Sequence, residues 1–358
     1  MISKAFLKSL FFTVLRLSIA GLILLVLLYL VIAFSRREIY KVTIPGKLFA
    51  VNKIDRSITV FDLEMGKEIR TIPLGTEPRE IVALADEKHL VFTNHGDNYL
   101  PGKSVSIIDS ETLEIKDKVF LPEGSRPYGV VALENLNKVV SVTNGENKLL
   151  IIDTERDSVE TIISINQKIS QLLVLHPQKP IAYVTNKGSG SVSVIDYENR
   201  KVIKHIKTGS GTEGIDITPD GEEVWVTNAL SNTISIIDTH SNTVIDMLEA
   251  GNESYRVKFT LNGELALVTS ARDGIISVYD RHSKHLVKRI VLNGLSSIYQ
   301  RVLYHSPHPV GIFMHPDGDY AFIANSNADK IEILDLHSLE IVSNINTGRV
   351  PDGIAFIR

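Results

Sequence analysis

The residues of this sequence best suited to bind a metal or move a proton are its histidines, and few of them stand where they could act together. His305 and His308 are three apart, and His95 opens a polar insertion far upstream. Imidazoles on such loops are the usual ligands of zinc, copper or haem iron. His282 and His285 share the same spacing, but no carboxylate or third histidine is placed to complete a metal site with them. His176 and His315 each precede a proline, as turn residues do. The chain has no cysteine, which removes disulfides, thiolate nucleophiles, cysteine-ligated zinc and covalently attached haem. GSGTEG (209–214) spells G-x-G-x-x-G, yet a β-rich stretch follows it rather than a helix, so it reads as a loop and not as a phosphate cradle. GSGSV (188–192) is a tight turn, and no G-x-S-x-G nucleophile elbow occurs.

What must position these groups is a repeat. An apolar strand ending in Asn recurs as LFAVN (48–52), LVFTN (90–94), VVSVTN (139–144), IAYVTN (181–186), EVWVTN (223–228) and YAFIAN (320–325), with LALVTS (265–270) as a seventh copy. A second strand ends in Asp at 62, 109, 153, 196, 238, 280 and 335, so successive copies lie 47, 44, 43, 42, 42 and 55 residues apart. A base period near 42 residues fits one four-stranded propeller blade. Each unit divides into an innermost strand A such as GIDIT (214–218), strand B ending in Asn, strand C ending in Asp, and an outer strand D such as KVIKHIKTG (201–209). The chain starts with B at Leu48 and ends with A at PDGIAFIR, so the last strand is expected to complete the first blade. The recurring Asn and Asp read as turn residues that satisfy backbone groups.

AYVTN, SVSVID and PDGIAF resemble the YVTN-type beta-propeller repeat family, and the resemblance covers essentially all of residues 40–358. It implies an all-β, seven-bladed β-propeller with terminal-strand closure. Related propellers resembling it include surface proteins, lactonase-like enzymes and the haem-binding domain of cytochrome-type nitrite reductases, so the fold does not choose a function.

Function is expected where the blades differ. HGDNYLPGK (95–103) lengthens one B–C turn, and NGLSSIYQRVLYHSPHP (293–309) lengthens one D–A connection. Strands alternate in direction, so both insertions crown one face. Innermost strands begin near Glu80, Gly129, Leu172, Gly214, Arg256, Gly311 and Gly353, which makes Glu80 and Arg256 charged exceptions almost opposite each other in the ring. Asp216 and Lys258, two positions deeper on neighbouring blades, are expected to pair. The candidate ligand-binding residues at the channel mouth are Arg79, Glu80, Arg126, Tyr128, Tyr255, Arg256, His308 and Asp352. A solvated ion-pair network is the competing reading of the same cluster.

Residues 17–34, LSIAGLILLVLLYLVIAF, are uncharged and long enough to span a bilayer as a helix. The expected organisation is a short cytosolic amino terminus (1–16), a transmembrane signal-anchor (17–34), a linker (35–46) and the propeller (47–358), with a cleaved signal peptide as the alternative to the anchor. Net charge is −4; the first 37 residues hold five basic residues and no acid, leaving the remainder at −9. A body that acidic disfavours nucleic-acid binding. The expected function is a non-enzymatic, membrane-anchored scaffold on the periplasmic or outer side of the cytoplasmic (inner) membrane, binding a protein or small ligand, with no catalytic residue, metal or cofactor assigned. A haem-binding or lactonase-like propeller enzyme is the alternative.

Overall fold

The computed structural model describes residues 4–35, 40–133, 136–292, 294 and 298–358. Residues 1–3 of the expected cytosolic segment, 36–39 of the expected linker, and 293 and 295–297 of the second insertion lie outside the described residues. Seven four-stranded antiparallel sheets form the blades of a propeller, in the strand order A-B-C-D from the channel outward. In blade 5 these strands are Thr212–Ile217, Glu223–Asn228, Thr233–Asp238 and Thr243–Glu249. Blade 1 takes its innermost strand, Pro351–Ile357, from the end of the chain and pairs it with Lys47–Asn52, as the strand order in the sequence predicts.

Strands B and C are apolar on both sides because each blade is sandwiched between two others. The core is correspondingly divided into seven clusters, each shared by adjacent blades. Between blades 7 and 1, for example, Phe322, Ile331 and Ile333 pack on Leu48, Phe61 and Phe356. The D strands face solvent and four of the seven carry lysines, as in KVIKHIK, which blunts an edge otherwise free to pair with another chain.

The repeated Asp residues accept backbone N–H groups at the C–D turns, as at Asp109 from Glu111 and Thr112 at 3.0 and 2.7 Å. The Asn residues behave differently from expectation. Asn52 Nδ2 donates to Ser57 Oγ and Thr59 Oγ1 at 3.0 and 2.9 Å, and Asn186 and Asn228 likewise bridge two hydroxyls on strand C. They clamp strand B to strand C through side chains. Asn144 does not share this position: Thr143 stands opposite Lys148 where the other blades place Asn opposite the first residue of C, so Asn144 is one residue further on.

The amino-terminal helix spans Lys4–Ser35, and within it Leu10–Leu30 is long and apolar enough to cross a membrane or to serve as a signal sequence. This stretch starts earlier than the expected uncharged run and includes Arg16, because Phe11, Phe12, Val14 and Leu15 offset the single charge. Residues 40–46 strap onto the propeller on the face opposite the channel mouth. Tyr40 stacks at 5.1 Å on Phe61 and donates its hydroxyl to Leu63 O at 2.6 Å, while Lys41 N–H donates to Ser343 Oγ at 2.9 Å.

Candidate functional site

Each innermost strand opens with a β-bulge. In blade 2, Pro78 pairs with Asn94 and Ile81 with Phe92, so Arg79 and Glu80 together face the single residue Thr93. A bulge re-aims the side chains it carries. Here the N–H of Glu80 donates to Thr93 Oγ1 at 3.1 Å, and Thr185, Thr227 and Thr269 catch the N–H groups of Leu172, Gly214 and Arg256 in the same way. In three other blades a backbone reversal reinforces the entry, because Arg126, His308 and Val350 hold positive φ values of 47°, 56° and 59° directly before a proline. Positive φ is strained for side chains of this bulk and is retained where the surroundings fix it.

The first bulge residue of every blade turns toward the channel mouth. Arg79, Tyr128 and Gln171 occupy this place in blades 2 to 4, Glu213, Tyr255 and Val310 in blades 5 to 7, and Asp352 in blade 1. A second tier comes from the residue after the B-strand clamp: Lys53, His95, Asn144, Lys187 and Ser326. Together they enclose a cavity of about 410 Å³. A larger groove of about 730 Å³ lies on the opposite face, along turn residues such as Leu136, Pro177 and Pro219. Charged groups converge in the smaller cavity, which makes it the candidate site.

Arg256 reaches across the channel and its Nη2 donates to Glu80 Oε1, although the two residues start on blades nearly opposite each other. Burial pushes the Glu80 carboxyl up to about 7, against the pull of Arg256 and with the help of the nearby Asp352 charge. Asp352 lies 3.7 Å from Arg256 Nη2 and 3.8 Å from both Arg79 Nη1 and Lys53 Nζ. Burial lowers Lys53, with Asp352 opposing the shift. On the far side Lys187 pairs with Glu213 at 2.5 Å; burial raises Glu213 and the lysine opposes it. Arg79 lies 5.3 Å from the centre of the Tyr128 ring, and Lys187 lies 5.5 Å from that of Tyr255, so both tyrosines carry a cation.

His95 accepts from Arg126 Nη2 at 3.1 Å through Nε2 and donates from Nδ1 to Pro127 O at 3.2 Å. Burial lowers its pKa to about 3, helped by Arg79 and Arg126, which keeps the imidazole neutral. With both ring nitrogens engaged, His95 offers no lone pair to a metal. Arg126 is half-buried beside His95 and is not among the residues that line the cavity. His308 lines the cavity beside Tyr255 at 5.6 Å, and burial lowers its pKa. His305 is exposed outside the cavity, so the three histidines of the insertions do not converge. Among the described residues no group of three His, Asp or Glu is arranged to hold a metal. Below the mouth, Lys258 Nζ donates to Asp216 Oδ1 at 2.9 Å, the expected pairing of neighbouring blades.

Six of the eight expected residues thus line one cavity, while Glu80 and Arg126 each bond to a residue of its lining, Arg256 and His95. Lys53, Gln171, Lys187 and Glu213 were not expected. A signal for them exists: they occupy fixed places in the repeat, one before the inner-strand glycine position or one after the B-strand Asn, where residue type varies most.

Architecture and mouth together define a seven-bladed β-propeller with closure by its terminal strand and a polar cavity on one face. The profile of the YNCE-like beta-propeller family matches residues 178–308, in agreement with the YVTN-type motifs. YncE of Salmonella typhimurium and YncE of Salmonella typhi are each 23% identical to the chain over 170 residues. The match covers 47% of this chain and 46% of theirs, so the chain spans about half the length of these curated relatives. Among solved structures, a functionally unknown protein from Desulfotomaculum acetoxidans superposes with a TM-score of 0.72 at 17% identity, over 87% of this chain and 99% of that one. Hydrazine synthase from Kuenenia stuttgartiensis gives 0.66 at 19% identity, over 78% and 89%. At these identities the likeness is one of fold.

Proposed function

We propose that this protein is a membrane-anchored, non-enzymatic binding module of the periplasmic or outer side, which presents its channel mouth to a ligand or protein partner. The observation that carries this reading is the cavity of about 410 Å³, built from the residues that differ between otherwise repeating blades. Its setting agrees. Tyr99 and Leu100 at the tip of the first insertion, and Val302 and Leu303 in the second, expose apolar surface around the mouth. The strap at residues 40–46 binds the opposite face, and from Ser35 to Tyr40 an extended chain reaches under about 20 Å. Such a tether keeps the far face near the bilayer and turns the mouth away from it. The engaged ring nitrogens of His95 count against a histidine-bound cofactor.

Native mass spectrometry of the full-length protein, extracted gently from its own cells, tests the reading. The expected spectrum shows a chain that keeps its first 37 residues and retains a partner or ligand, which Arg79→Gln loses. A cleaved chain would refute the anchor. Retention equal in Arg79→Gln and wild type would refute the mouth as the binding surface.

A further inference from the structure

The geometry points to a small molecule bearing a carboxylate or phosphate group as the ligand of the channel mouth, with that group seated between Lys53 and Arg79. This rests on the reading of the mouth as a binding site and goes beyond it by naming the chemistry.

The argument is one of hydrogen-bond capacity. Lys53 is an ammonium with three donors, its side chain only 20% exposed, and its nearest carboxylate is 3.8 Å away. That is too long for a hydrogen bond. Arg79 meets Glu77 at 3.0 Å through Nη2, but its Nη1 is 3.8 Å from Asp352 and its buried Nε has no acceptor. The two cations come from adjacent blades and face one cavity. The hydroxyls of Tyr128 and Tyr255 make no hydrogen bond among the described residues, so they too are left with capacity for a ligand. Of these donors Arg79 Nε is the fully buried one without a partner, and such a donor is costly unless a ligand or water supplies an acceptor. A carboxylate or phosphate is the group that answers a paired ammonium and guanidinium, since its oxygens accept several charge-assisted bonds at once.

Asp352 shares the site without cancelling it. Its carboxylate stands 3.7–3.8 Å from Lys53, Arg79 and Arg256, near enough to attract the cations without occupying their donors. Gln171 is 7% exposed, lines the same cavity, and its Oε1 lacks a partner. That acceptor would take a hydroxyl or amine elsewhere on the ligand. A volume of about 410 Å³ lies within the range of small-molecule pockets, roughly 300–1,000 Å³.

The test is isothermal titration of the full chain in detergent with inorganic phosphate, succinate and, as a neutral probe, glucose. Saturable binding of phosphate or succinate is expected, and the better of the two identifies the group. Lys53→Gln should weaken that binding about tenfold or more, and Tyr128→Phe by a few-fold, while Lys204→Gln on an outer strand leaves it unchanged. Circular dichroism and melting of each variant separate lost binding from lost fold. No saturable binding of either anion, equal binding of glucose, or unchanged affinity in both Lys53→Gln and Tyr128→Phe would overturn the inference. A protein partner retained in the native spectrum, together with absent anion binding, would overturn this inference alone and leave the binding-module reading standing.

Discussion

Glu80 and Arg256 show how much of the site depends on single residues. They break an inner-strand position that is glycine in four blades, and they meet across the channel with Asp352 beside them. Their charges and ring positions are legible in the sequence; their contact is not, because it depends on the channel's width. The pair has a consequence for stability. Folding raises the Glu80 pKa to about 7 from the ordinary glutamate range, so between those values the folded chain binds more protons than the unfolded one. Its contribution is present at low pH and lost as pH rises through 7. Asp109, Asp280 and Asp335 at the C–D turns act in the opposite sense, since backbone N–H groups of Thr112, Ser283 and Ser338 hold them below the usual aspartate value. Their contribution is present at neutral pH and lost as pH falls below about 4. His95 and His308, whose pKa burial lowers, act against Glu80 in the same window, because the unfolded chain then binds the extra protons and stability rises with pH. Removing the Glu80 contribution should therefore make the melting temperature of Glu80→Gln rise more steeply from about pH 5 to pH 7.5 than that of the wild type, while the loss in acid persists. Thermal melts of both proteins across this range would show it, and equal slopes would mean that Glu80 does not titrate there.

At the scale of the element, the B strand does more than its apolar pattern suggests. The repeat announces four strands per blade and the place of each, and the structure agrees from Lys47 onward. The bulge at the start of strand A is less visible. Its mark is the Thr of VTN, which catches the N–H that the bulge would otherwise leave unpaired, as Thr227 does for Gly214 at 2.8 Å. Glycine suits that second bulge position because a Cβ on Gly214 would lie 2.3 Å from Tyr255 O on the next blade. Spacing alone also misplaces Asn144, since Thr143 takes the clamp position opposite Lys148 and the amide stands one residue later, at the cavity wall. Thr227→Val keeps the shape of the side chain and removes the acceptor. It is expected to cost about 1–3 kcal/mol, the price of a buried donor without a partner. Hydrogen exchange at the Gly214 amide should quicken more than at its neighbours in strand A. Protection equal to wild type would mean that water or another acceptor takes over the role.

For the whole molecule, closure and site assembly are one event. Pro351–Ile357 is the innermost strand of blade 1, buried along its length, and it brings Asp352 to the mouth beside Lys53, which follows strand B of the same blade. Without it, blade 1 would expose the edge of Lys47–Asn52, and the clusters shared with blades 7 and 2 would lose Ile354 and Phe356 on one side and Ala355 and Ile357 on the other. Large apolar groups lost from a packed core cost several kcal/mol together, comparable to the whole stability of a domain. A chain ending at Val350 is therefore expected to lose its cooperative melt and to associate through the open edge. A synthetic peptide of residues 351–358 supplied in trans should restore a cooperative transition, because it returns both the backbone pairing and the apolar contacts. The same peptide with Asp352 replaced by Asn should restore the fold as well, since the carboxylate's partners stand 3.7–3.8 Å away and none is a hydrogen bond. Anion affinity measured on the two reconstituted proteins then separates the two roles of the strand. A difference in affinity at equal melting temperature would place Asp352 in the electrostatics of the mouth, and a truncated chain that melts cooperatively without any peptide would show that the other six blades hold the ring by themselves.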